Sequence, residues 1–144
     1  MSARHRLEGQ IKVALPPQEA FTLFTPRGEE RWVDGWLPRF PAPTPDDTAP
    51  GTVFETSHTE PTTWVVLACE RGRRISYARV TPGSRAGTVT VTLDKDGDGH
   101  SIVHVVYDLT ALTPHAAGEL RQFAAEYPAF LRSWQEAISR SLRP

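Results

Sequence analysis

A chain of 144 residues with a formal net charge of −1 fits one domain over residues 1–144, with no electrostatic footprint for nucleic acid or an acidic membrane. A domain near this size buries about 70% of the surface its unfolded chain exposes, enough for a core and a modest cavity. The single cysteine, Cys69, excludes an internal disulfide framework and suits a reducing cytoplasm. Of 16 basic residues only Lys12 and Lys95 are lysine, a bias that fits a GC-rich, bacterial genome better than dedicated phosphate or carboxylate recognition. Met1 to Gly9 holds no apolar run, so no signal peptide is expected. The longest apolar run, Trp64 to Cys69, is far too short to span a bilayer. The expectation is a soluble, cytoplasmic protein.

Taken in order, Leu7, Gly9, Ile11 and Val13 alternate with polar residues and predict a half-buried strand. Pro16-Pro17 ends it, and Pro17 opens a helix of about two turns that Pro26 stops. A second short helix is expected over Gly28–Val33. Pro41, Pro43, Pro45 and Pro50 then rule out regular structure, so residues 41–50 are a loop. Strands are expected over Thr52–His58, Thr62–Glu70, Arg74–Thr81, Ala86–Lys95 and His100–Leu112. Asp96-Gly97-Asp98-Gly99 makes the last hairpin turn. Thr113-Pro114 caps and opens a long helix to Leu142. Along it Leu120, Phe123, Tyr127, Leu131, Trp134 and Ile138 recur at helical spacing. Pro128 removes one hydrogen bond from this helix, and a kink is expected there. Strands joined by hairpins and closed by a helix give an α+β fold with an antiparallel sheet.

The order of elements, the opening Ile11-Lys12-Val13-Ala14-Leu15-Pro16-Pro17-Gln18-Glu19-Ala20-Phe21, the tryptophans of Glu30-Arg31-Trp32-Val33-Asp34-Gly35-Trp36, the segment Gly51-Thr52-Val53-Phe54 and the closing Phe130-Leu131-Arg132-Ser133-Trp134-Gln135-Glu136-Ala137-Ile138 together resemble the START-like, or SRPBCC, superfamily. That superfamily includes Bet v 1-like allergens, polyketide cyclases, lipid-transfer domains and Hsp90-activator-like proteins. The resemblance covers nearly the whole chain. It implies a helix-grip fold, in which a curved seven-stranded sheet wraps the long helix and leaves a cavity. It brings no catalytic motif, and the superfamily has members with and without enzyme activity.

With a cavity in view, polar exceptions on its apolar walls become the candidates for orienting a ligand. The candidate ligand-binding set is Trp36, Phe54, Trp64, Tyr77, Arg79, Tyr107, Phe123, Tyr127 and Leu131; no catalytic residue is assigned. On the last strand Ser101, Val103, Val105, Tyr107 and Leu109 form the more apolar face and are placed inward. His104 and Asp108 then point outward, and the reverse register would make His104 a candidate base. Arg79, if inward, needs a carboxylate or an anionic ligand; otherwise it is a surface arginine. Tyr127 either faces the cavity or bonds a backbone carbonyl in the core. Phe54 and Trp64 belong to wall or core. Trp32 and Trp36 either rim an entrance or pin the short helices to the sheet.

Asp94 to Gly99 lacks the closing glutamate of a calcium loop, the five histidines are scattered, and no Gly-x-Ser-x-Gly elbow occurs. No metal or cofactor is expected. Binding of a small, mostly hydrophobic molecule, a lipid among the options, is the leading reading. A cyclase- or aromatase-like enzyme using Tyr107, Tyr127, Arg79 or His104, and an Hsp90-activator-like interaction module presenting Trp32, Trp36 and the proline-rich loop, are the alternatives. A homodimer through that loop or a sheet edge stays open.

Overall fold

The computed structural model describes residues 3–144; Met1 and Ser2, the start of the stretch read as lacking an apolar run, lie outside the described residues. Strand β1 (Arg4–Val13) opens the fold, and the two prolines after Leu15 end it. Pro17 starts helix α1 (Pro17–Phe21), and the Pro16 carbonyl accepts from the amides of Glu19 and Ala20. Two 3-10 turns follow, Thr22–Phe24 and Gly28–Arg31. The first completes the stretch expected as helix up to Pro26; the second, ending at Arg31, is shorter and tighter than the helix expected over Gly28–Val33.

Five strands come next: β2 (Val53–Thr56), β3 (Thr62–Glu70), β4 (Arg74–Thr81), β5 (Arg85–Lys95) and β6 (Ser101–Ala111). They pair in sequence, β1 joins β6, and every pairing is antiparallel. Threonine and valine alternate through β5, and the valines take the buried side, as a sheet with one wet face requires. The β5–β6 turn holds Gly97 and Gly99 at φ of +66° and +76°, which glycine adopts without strain.

The sheet has six strands, not the seven that the superfamily resemblance implies. Among the described residues, a single bridge, Arg39 to Glu55, lies beyond β2, reinforced by an ion pair between their side chains. Pro38 and Pro41 flank Arg39 and lack the amide donors that a longer ladder needs.

Helix α2 (Pro114–Ser141) begins at the Thr113 cap, whose hydroxyl accepts from the Ala116 amide at 3.1 Å. It runs on through Pro128, which is exposed. It packs chiefly on β1 and more lightly on β6. Leu120, Tyr127, Leu131 and Ile138 are buried at that seam. Phe123, Phe130 and Trp134 turn to a second, only half-buried stripe. The apolar ladder therefore serves two surfaces. No helix among the described residues is long and apolar enough to cross a membrane.

Candidate functional site

Three half-buried rings on α2 face a hollow that no side chain fills. The cavity measures about 400 Å³, within the usual range for small-molecule sites. Its floor is the sheet, through Trp64, Arg79, Arg85, Tyr107 and Leu109; its roof is Phe123, Phe130 and Trp134; and its mouth is formed by the segments around Glu29–Trp36 and His58–Thr62. A smaller void of about 20 Å³ continues inward beside Phe54 and Tyr77.

The nine candidate residues fall into three places. Trp36, Trp64, Arg79, Tyr107 and Phe123 line the main cavity. Phe54 and Tyr77 lie behind it in the aromatic core and border only the small void. Phe54 stacks on Trp64 with centroids 5.8 Å apart, and the Tyr77 hydroxyl donates to the Phe24 carbonyl at 2.8 Å. Tyr127 and Leu131 sit on the β1 side of the helix, away from the cavity, beside a groove with Gly9 and Ile11. There Tyr127 donates to the Val105 carbonyl at 2.8 Å. Its hydroxyl is thus occupied, and it serves the core.

Both tryptophans of the Trp32–Trp36 segment are buried, and each indole N–H is anchored at 2.7 Å, to the carbonyls of Leu23 and Pro26. Trp32 ties the two 3-10 turns together and meets Trp134 of α2, while Trp36 lies against Phe54 and Trp64 of the sheet and borders the cavity. That removes the two large rings on which an exposed interaction patch was to be built. On β6 the inward face is the one expected. His104 is exposed near Asp94, and Asp108 accepts from Arg4 at 2.9 and 2.8 Å. The Arg4 hydrogen bonds hold the Asp108 carboxyl below its ordinary range.

Three of the polar groups that line the cavity keep a donor or acceptor unmatched among the described residues. The Tyr107 hydroxyl is the first; burial raises its proton affinity and keeps it a neutral donor. Arg79 is the second. Its Nη2 donates to the Thr81 hydroxyl at 2.9 Å and its guanidinium lies 4.9 Å from the Trp64 ring, yet its buried Nε meets nothing. The third, Glu29, escaped the sequence reading. Its backbone is fixed by the 3-10 turn: its amide donates to Thr25 and its carbonyl accepts from Trp32 and Val33. Gly28 makes this turn possible, because a Cβ there would overlap the Thr22 carbonyl. Part of the Glu29 residue is exposed, while its carboxyl is enclosed and borders both hollows. Burial raises its pKa well above the ordinary value, an effect that water in the open cavity tempers.

This yields a signed expectation. Below about pH 4.3, the ordinary glutamate value, Glu29 is protonated in folded and unfolded chains alike. Above it the unfolded chain ionises first, while the folded chain keeps its proton. Wild-type stability therefore falls through the window between the ordinary and the raised pKa, at up to about 1.4 kcal/mol per pH unit. Glu29→Gln does not titrate. Its melting temperature relative to wild type should climb between pH 4.5 and pH 8, by several degrees. A gap that is flat or shrinks toward pH 8 refutes this placement of the carboxyl.

A six-stranded antiparallel sheet with a long carboxy-terminal helix, separated in part by an aromatic hollow, defines a class of α+β proteins. The family described as polyketide cyclase / dehydrase and lipid transport matches residues 4–141, and the chain belongs to it; this places it in the START-like superfamily. Protein MLL2253 from Mesorhizobium loti is 19% identical at a TM-score of 0.68, over 94% of this chain and 98% of its own. Norcoclaurine synthase from Thalictrum flavum, a point mutant solved with a transition-state analogue, is 11% identical at a TM-score of 0.64, over 95% and 92%. An HSP90 activator from Plasmodium falciparum is 16% identical at a TM-score of 0.58, over 75% and 74%. At such identities the likeness carries the fold alone. No curated protein sequence matches the chain. Among the described residues no group of three or more His, Cys, Asp or Glu could hold a metal ion.

Proposed function

We propose that the chain, acting as a single helix-grip domain, binds one small, mostly hydrophobic molecule between the sheet and α2. The observation that carries this reading is the unfilled hollow of about 400 Å³ walled by Trp36, Trp64, Phe123, Phe130 and Trp134. Apolar side chains left facing such a space forgo packing contacts that a guest restores. Three tryptophans on its wall supply the assay. N-phenyl-1-naphthylamine, a neutral aromatic probe, should quench their emission with 1:1 stoichiometry and a Kd of roughly 1–50 μM. Val33→Trp, which places a ring at the mouth, should weaken the probe about tenfold or more. Equal affinity for that variant, or no binding to wild type below about 1 mM, overturns the reading.

A second reading, an acid–base enzyme of the cyclase kind, draws support from the Glu29 carboxyl bordering the cavity together with the Tyr107 hydroxyl. Enclosed carboxyls with raised proton affinity suit general acid–base work. Of Tyr107, Tyr127, Arg79 and His104, His104 faces outward and Tyr127 is engaged in the core, leaving Tyr107 and Arg79 beside Glu29.

A further inference from the structure

Two arginines line one cavity, and among the described residues neither has a carboxylate within 4 Å. Arg79 lies over Trp64, and the Arg85 guanidinium lies 5.6 Å from the Phe123 ring. The Arg85 guanidinium also donates a long hydrogen bond of 3.4 Å to the Ser84 hydroxyl. Arg79 uses Nη2 on Thr81 and leaves its buried Nε unmatched. Burial works most strongly against the charged form of Arg79 and the like charge of Arg85 adds to it, while Tyr107 and Glu60 favour it. Two acidic groups also border the cavity. Glu60 is exposed at the mouth and forms no ion pair with either arginine, while enclosure favours the neutral form of Glu29. Elsewhere this chain meets a guanidinium differently: Arg4 gives Nε and Nη2 to both oxygens of Asp108 at 2.9 and 2.8 Å.

A pair of guanidiniums held in place by aromatic faces, with no ion pair of their own among the described residues, is a receptor for an anion. The rest of the wall is apolar and aromatic, so the anion must be one end of a hydrophobic body. Resting on the ligand-binding reading above, we propose that the guest is an aromatic or similarly flat organic acid, its carboxylate seated by Arg79 and Arg85 and its rings lying among Trp64, Phe123 and Trp134. The Tyr107 hydroxyl is the neutral donor nearest in kind to complete that seat.

The test compares three probes of one shape by calorimetric titration at pH 7: 2-naphthoate, the uncharged 2-naphthamide, and 2-naphthyl phosphate. The acid should bind about tenfold or more tightly than the amide, and more tightly than the phosphate ester. Arg79→Gln and Arg85→Gln should each cut the acid-over-amide preference to about threefold or less. Circular dichroism and a cooperative melt show that each variant folds, and a preference of about tenfold kept by both overturns the seat. Amide and acid bound alike by wild type overturns the carboxylate assignment and leaves the hydrophobic cavity standing. The phosphate ester winning reassigns the anion and overturns the carboxylate too. Failure of all three probes overturns the cavity reading together with this inference.

Discussion

Replacing Phe54 by alanine should destabilise the protein by about 3–5 kcal/mol, lowering the melting temperature by roughly 10 °C. Phe54 has no exposed surface. Its ring stacks on Trp64 and meets Trp36, Phe40 and Tyr77 within 6.1 Å centroid to centroid, each an arrangement worth more than its buried area alone. The neighbours cannot collapse into the vacancy, because Trp36 is tied to Pro26 and Tyr77 to Phe24. The small void beside Phe54 would instead enlarge toward the main cavity. Phe54→Leu, which keeps most of the volume, should cost about 1–2 kcal/mol. Chemical unfolding measures both. A loss below about 1.5 kcal/mol for the alanine variant would show that this cluster is not packed as described.

Gly87→Ala should also destabilise, by about 2 kcal/mol or more, against the usual sign. Within a strand interior alanine is ordinarily the better residue by roughly 0.5–1 kcal/mol. Here a Cβ would overlap the Asp108 carbonyl of β6, a backbone atom that cannot swing aside. Gly87 faces Arg79 on one neighbouring strand and Leu109 on the other. The close approach of β5 and β6 thus lies under the arginine that lines the cavity. A variant that folds should bind ligand more weakly as well as melt earlier. Thermal unfolding is the check, and a neutral or stabilising effect contradicts the close approach.

The elements were legible because their signals are local. Thr113-Pro114 marked the helix start to the residue, and the β-branched alternation of 86–95 marked β5 to within one. The inward face of β6 was legible from polarity alone. The site was only partly so. Tyr107 and Tyr127 look alike in sequence, yet one hydroxyl faces the hollow and the other bonds Val105. Helical spacing groups Phe123 with Leu131, although the stripe is wide enough to serve both the cavity and the β1 seam. Phe130 falls on the same stripe as Phe123 and Trp134, seven positions after the one and four before the other, and that spacing was the available signal for it. Glu29 gave none. A polar residue in a short turn reads as solvated, and only the tertiary path of 22–36 carries it over the sheet. The seventh strand was a property of the superfamily; the prolines around Arg39 were the residues that spoke against it.

The division of α2 into two stripes has a consequence for how such a protein changes over time. Leu120, Tyr127, Leu131 and Ile138 keep the helix seated, while Phe123, Phe130 and Trp134 shape the chamber. Substitutions on the second stripe redraw the chamber's outline while the first stripe holds the helix in place. Descendants can therefore reshape the hollow while their frame stays put.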